Sequence, residues 1–358
     1  MFRESEKEVC RIVFCRLGGI GDVMHTLPLV KYMRKKFPQA SIEYITSGET
    51  TKLLNQYCPY IDSIWEFNKK EKKRFFKVFF NNKQKVSYFL NLHNSFTFFL
   101  LNLFHFRARR FFQYKKDLKF HAVINFAQTY DPNISAFMLD SKTLIENKDN
   151  EILNKYKLNE GKYLCFVVGV GKSRVHRAWS FSNWLSLTKK ILFSNPDYKI
   201  VFLGGDDEVK MFQNWSSDET IDEYFKGKVI NLIGKLSLPE TANVISKSYL
   251  LASCDTGLLH IAAAFSKKAI GLYGPTLPKR TGPYSGSYEA MVAKDCKCSN
   301  SFFETKKCKM TRLPTGFCMD SLNVDNVLSA ITLDNVNGYL TEKSDSEIIS
   351  HSAKLKLQ

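Results

Sequence analysis

Apolar residues along the chain fall into short continuous runs, separated by stretches in which they recur at helical spacing. The first run, RIVFCRL (11–17), predicts a buried strand. A glycine loop at 18–21 follows, and then a helix through about Lys36 that stops before FPQA. SIEYIT (41–46) predicts a second strand, and SIWEF (63–67) and YFLNLH (88–93) two more. Strands alternating with helical patterns imply βαβ units and a mostly parallel sheet.

The alternation restarts after a polar region at 144–163. LCFVVGVG (164–171) reads as a strand entering a loop. In WSFSNWLSLTKKIL, Trp184, Leu187 and Ile191 share one helical face. KIVFLGGDDE is a strand ending in a glycine-rich turn, SYLLASCDTGLLHIAAAF a strand, turn and helix, and KAIGLYGPT one more strand. The pattern predicts two α/β halves, residues 1–155 and 156–333, and a polar tail over 334–358.

A chain of 358 residues exceeds what one core usually accommodates, in keeping with two domains. Its 44% hydrophobic and 14% aromatic content is ample for burial. A formal net charge of +17 points to an acidic partner: nucleic acid, an anionic membrane surface or a phosphorylated substrate. The charged start MFRESEKEVC lacks the apolar core of a secretory signal. The longest apolar stretch, FTFFLLNLFHF (96–106), falls short of the roughly 18 residues a spanning helix needs. The expectation is a cytoplasmic protein whose nine cysteines are mostly reduced thiols.

Two glycine loops invite a nucleotide-binding reading, and neither fits the usual motifs. VGVGKSR (168–174) has Phe166 where a P-loop requires its first glycine, and LGGIGD has the wrong spacing for a dinucleotide fingerprint. A strand–loop–helix junction still offers unbonded amides and a helix dipole to an anion. CDTGLLH (254–260) is the best such junction: Asp255 could cap the helix, and small Thr256 and Gly257 would admit a diphosphate. An ordinary capped helix explains the same residues. Arg174, His176 and Arg177 follow the strand at 164–168, either as a phosphate clamp or as solvated bases. Asp22 reads in two ways as well. It is a carboxylate favoured by a helix N-terminus by about 0.3–1 kcal/mol, or a general base beside a hydroxyl nucleophile.

Cys296, Cys298, Cys308 and Cys318 cluster late, but only the first two are closely spaced, so they are weak candidates for a metal knuckle. Cys10, Cys15, Cys165 and Cys254 lie in or beside strands, as small core residues do. Residues 69–85 interleave bases with phenylalanines, and RARRFFQYKK (107–116) repeats the pattern. Both suit an anionic membrane surface, with a solvated basic helix face as the alternative. No nucleic-acid motif accompanies the charge.

Three stretches together resemble glycosyltransferase family 9, the ADP-heptose:lipopolysaccharide heptosyltransferases. They are RLGGIGDVMHTLPLVKYMRKKFPQASIEYIT, LGGDDE, and the long run from LIGKLSLPETANV to GPTLPKRTGPY; CMDSLNVDNVL fits the family's C-terminal pattern. The resemblance spans about residues 11–331. It implies a GT-B fold, two Rossmann-like domains with parallel sheets facing across a cleft, the acceptor on the first and the nucleotide-diphosphate sugar on the second. It also implies an inverting transfer that needs no metal or other cofactor. Asp22 then aligns with the catalytic base, and Gly18, Gly19, His93 and Asn94 fall to the acceptor side. Arg177, Asp207, Glu208, Asp255, Thr256, Gly257 and His260 fall to the donor side. Arg177 stands where the family often has a lysine before its Trp, and its guanidinium can still neutralise a diphosphate.

The implied activity is transfer of a heptose to an anionic glycolipid, the lipopolysaccharide core, at the cytoplasmic face of the inner membrane, with no nucleic acid involved. The same fold could move another sugar or modify a protein acceptor such as an autotransporter. A silent nucleotide- or nucleic-acid-binding module is the reading from another class, and an intact Asp22 and DTGLLH disfavour it.

Overall fold

The computed structural model describes residues 9–71, 85–103, 107–147, 151–209, 226–284, 287–293, 296 and 317–331. They divide between two compact units, 1–148 and 149–358.

The first unit is built on β1 (Arg11–Cys15), β2 (Ser41–Thr46), β3 (Ser63–Glu66), β4 (Tyr88–Asn91) and β5 (Arg110–Gln113). All pair in parallel, in the order β3-β2-β1-β4-β5. Helices α1 (Ile20–Lys36), α2 (Glu49–Tyr57), α3 (Phe96–Leu101) and α4 (Ala122–Gln128) connect or follow the strands. Every residue of β1 and β4 is buried, because a parallel strand with helices on both sides meets water on neither face. One core joins Val13, Cys15, Ile45 and Phe89 to Phe98 of α3.

The second unit repeats the plan. α5 (Glu151–Lys155) leads into β6 (Tyr163–Val167), α6 (Phe181–Ser194), β7 (Lys199–Leu203), β8 (Val229–Asn231), α7 (Leu238–Lys247) and β9 (Leu250–Cys254). Then come α8 (Gly257–Ala264), β10 (Ala269–Tyr273), α9 (Pro278–Thr281), β11 (Tyr288–Val292) and α10 (Val324–Ala330). The strand order is β11-β10-β9-β6-β7-β8, again parallel throughout. As the spacing predicts, α6 turns Trp184, Leu187 and Ile191 into the core, where they are fully buried.

In each sheet the strand order reverses once, between β1 and β4 and between β6 and β9. Loops leaving the carboxyl ends of two such strands go to opposite faces, and the crevice between them is where doubly wound sheets bind ligands.

The structure changes several sequence expectations. The glycine loop is shorter than expected, because α1 already begins at Ile20. RARRFFQYKK is not a displayed aromatic patch: its centre is the edge strand β5, with Phe111 packed on Phe89 and Phe112 on Tyr88. Successive strand residues point to opposite faces, so both rings are consumed by packing. Residues 72–84 of the other basic-aromatic segment, and the tail expected at 334–358, lie outside the described residues. So do Cys298 and Cys308, whereas Cys296 and Cys318 are buried in the second core beside Met319. Among the described residues no three His, Cys, Asp or Glu side chains gather as a metal site. Cys15, Cys165 and Cys254 are core residues, and burial pushes the thiols of Cys165 and Cys254 up to about 12. Cys10 is exposed instead.

Candidate active site

In the first unit, the loops after β1 and β4 flank the reversal point. Gly18 and Gly19 both take left-handed backbone, with φ of +76° and +72°. That double turn brings the start of α1 back over the strand end. A β-carbon on Gly19 would lie 2.7 Å from Oδ2 of Asp22, so the missing side chain is the space the carboxylate occupies. Gly19→Ala should therefore cost about 1–2 kcal/mol in left-handed strain alone and displace Asp22. Equilibrium denaturation reads the first effect, and an alanine variant as stable as wild type would contradict it.

Asp22 lies in the first turn of α1, and its side chain is 46% exposed. Arg16 Nη2 donates to Oδ2 at 2.5 Å. The same guanidinium donates through Nη1 to the Leu92 carbonyl at 3.0 Å and stacks over Phe126 of α4 at 5.4 Å. Arg16 thus ties the Asp22 turn to the loop after β4. Among the described residues Asp22 Oδ1 has no hydrogen-bond partner, so one carboxylate oxygen remains to accept a proton from a ligand.

The β4 loop carries His93 and Asn94. Asn94 holds left-handed backbone (φ 55°), and its Oδ1 accepts from Gln113 Nε2 at 2.5 Å. Gln113 Oε1 in turn accepts from fully buried Asn91, which also donates to the Ser95 carbonyl. This network braces the turn beside Arg16. His25, one helical turn beyond Asp22, is buried edge-to-face against His121 at 5.5 Å.

In the second unit, the loops after β6 and β9 flank the other reversal point. The β6 loop winds into a 3₁₀ turn at Lys172–Arg177. Arg174 stays exposed there, while His176 and Arg177 are buried. Arg177 Nη1 donates to the Asp255 carboxylate at 2.8 Å and to its carbonyl at 3.2 Å. Asp255 therefore does not cap α8. Thr256 holds the cap position, and its hydroxyl pairs with Ser253 Oγ at 2.9 Å. The Thr256 side chain makes no capping bond to the first amides of α8, which begins at Gly257. Those amides are the partial positive charge that a helix N-terminus presents to an anion. His260, one turn further, is buried. Trp179 fixes the end of the β6 loop, its amide donating to Cys254 Sγ and its indole to the Leu322 carbonyl.

Glu208 and Asp207 differ sharply. Buried Glu208 accepts from the amides of Gly171 at 2.7 Å and Gly205 at 2.9 Å, linking the loops after β6 and β7. A β-carbon on Gly169 would fall 2.0 Å from Glu208 Cγ, so glycine there makes room for the carboxylate. Asp207 is exposed, and its ion pair with Lys172 at 2.8 Å holds its carboxyl below the ordinary value.

Sequence reasoning missed Arg16, Asn91 and Gln113. Arg16 carried a usable signal, a base six residues before the acid of a glycine loop. Gln113 carried none, because its role depends on strand pairing.

A family profile described as glycosyltransferase family 9 (heptosyltransferase) matches residues 119–311. Lipooligosaccharide heptosyltransferase 2 of Haemophilus influenzae is 39% identical over 67 residues, 19% of each chain. The chain therefore matches that relative over well under two thirds of its length. The lipopolysaccharide core heptosyltransferase OpsX of the same organism matches more extensively, at 23% identity over 80% of this chain and 84% of its own. Among solved structures, E. coli ADP-heptose lps heptosyltransferase II superposes with a TM-score of 0.69 at 19% identity, over 89% of this chain and 96% of that one. That likeness shows the fold, two parallel-sheet α/β domains of the GT-B class.

Proposed function

The chain belongs to glycosyltransferase family 9, and on that premise we propose that it moves a heptose from a nucleotide-diphosphate sugar, ADP-heptose, to a lipopolysaccharide core acceptor. The observation that carries this reading is the Asp22 carboxylate. It stands at a sheet reversal point, steered by Arg16 through one oxygen and open at the other.

The acceptor occupies the first unit, against Gly18, Gly19, His93 and Asn94. Asp22 Oδ1 takes the proton of the acceptor hydroxyl as that oxygen bonds to the anomeric carbon. The bond from that carbon to the diphosphate oxygen breaks, and its electron pair leaves with the nucleoside diphosphate. Attack opposite the leaving group inverts the anomeric configuration. General-base assistance of this kind contributes about 10²–10⁴ in rate.

The donor occupies the second unit. Its diphosphate meets the amides at Thr256 and Gly257, where the growing charge of the leaving group is stabilised. Arg177 adds a positive charge under this turn and positions it through Asp255. Glu208 holds the neighbouring loops, and Asp207 and His260 complete the donor side. No residue in this scheme requires a metal or other cofactor. The acceptor being a glycolipid, the enzyme works at the cytoplasmic face of the inner membrane, against anionic lipid.

A donor screen tests the assignment. With a heptose-deficient core acceptor, ADP-heptose should give acceptor-dependent release of ADP, while UDP- and GDP-hexoses release little. Turnover of a hexose donor with no response to ADP-heptose would overturn the sugar assignment and leave the fold untouched.

A further inference from the structure

The first unit displays apolar side chains on one flank. Phe96 and Leu103 are 71% and 57% exposed, and Phe99 is 41% exposed. Phe96 and Phe99 stack at 6.0 Å on the outer side of α3, while Phe98 on its inner side is buried in the core. The faces that stay exposed keep apolar area in water, and contiguous exposed apolar patches mark interaction sites.

The charge beside this patch identifies what it meets. Residues 107–119 contain six bases, Arg107, Arg109, Arg110, Lys115, Lys116 and Lys119, against the single acid Asp117. Arg107 adjoins the end of α3, its amide donating to the Asn102 carbonyl at 2.8 Å. Arg107 and Arg109 are exposed. Rings with a basic border match an anionic bilayer surface: the rings enter the headgroup boundary, and the bases face lipid phosphates. No described helix is long and apolar enough to cross a membrane.

Position adds a second reason. α3 starts at Phe96, directly after the β4 loop that Arg16 joins to Asp22. We infer that the outer face of α3, with Arg107 and Arg109, is the surface that seats the first unit on anionic lipid, next to the loop that receives the acceptor. The purpose of this surface rests on the proposed glycolipid acceptor. Its existence does not, and vesicles without glycolipid separate the two.

The experiment is flotation of the full chain with vesicles of phosphatidylcholine alone or mixed with phosphatidylglycerol, with neither donor nor acceptor present. The chain should float with the anionic vesicles only, and detach in about 1 M salt, where charges are screened beyond about 3 Å. Phe96→Ser/Phe99→Ser should weaken binding at least tenfold. Arg107→Glu/Arg109→Glu should also lose at least tenfold, since each base near a charged surface contributes about fivefold. Unchanged thermal midpoints would confirm that these exposed substitutions leave the fold intact. Equal binding to neutral vesicles, wild-type flotation of either variant, or capture of duplex DNA in place of vesicles would each overturn the inference.

Discussion

Asp22→Asn should lower kcat by about 10²–10⁴ and change little else. Asparagine keeps the size and shape of the carboxylate but cannot take the acceptor's proton. The side chain is 46% exposed, and Asn can still accept one bond from Arg16, so the fold should hold. Donor affinity, measured with nucleoside diphosphate alone, should stay at wild type, because the residues proposed for the donor belong to the other unit. Arg16→Ala should lower kcat less, since the base survives but loses its anchor. An Asp22→Asn enzyme within about twofold of wild-type kcat would show that the base is elsewhere.

Arg177→Ala should destabilise the second unit by about 3–5 kcal/mol, as does breaking other buried ion pairs from one side. Arg177 and Asp255 are 9% and 8% exposed at their side chains, and the arginine bonds both the carboxylate and the carbonyl of its partner. Removing it takes the guanidinium charge from a buried carboxylate immediately before the first turn of α8. Donor binding should fall with stability, because the turn that offers the amides is no longer held. Arg177→Lys should fall between, keeping the charge but losing the shape of the guanidinium. Urea denaturation gives the first quantity and calorimetry with ADP the second. A loss below about 1 kcal/mol would mean that the pair is not structural. Gly257→Val is the complementary variant: it should weaken ADP binding by pushing the diphosphate off the amides, with the ion pair intact.

Much of the fold was legible because parallel strands write themselves as continuous apolar runs. SIEYIT coincides with β2, and the helix expected to end near Lys36 does end there. β5, β8 and β11 were not legible. They are edge or near-edge strands of three to five residues, mixed in composition, and only pairing with a neighbour makes them strands. β5 misled most, because RFFQ among bases reads as a surface segment when its partners are unknown. The apolar stretch at 96–106 is too short for a membrane span, and its sequence alone does not show which side chains it exposes. A helix can be too short to cross a bilayer and still expose two phenylalanines to one.

The candidate site was legible as a list but not as a set of contacts. Asp22, Asp255, Thr256 and Gly257 stand out by residue type beside glycine loops. Their arrangement follows from strand order, which no local pattern contains: β1 must lie beside β4, and β6 beside β9, before their loops can meet. Arg177 shows the limit best. Its place before Trp179 suggested a ligand contact, and the structure buries it against Asp255.

The proposed activity is transfer of a heptose with inversion onto a lipopolysaccharide core. Its most direct test is the product itself. Purified enzyme, ADP-heptose and core acceptor from a heptose-deficient strain are incubated, and the acceptor is analysed by mass spectrometry and by NMR of the new anomeric centre. The acceptor should become heavier by one heptose residue, joined with a configuration opposite to that of the donor. An acceptor of unchanged mass while ADP accumulates, or a product that keeps the donor's configuration, would contradict it.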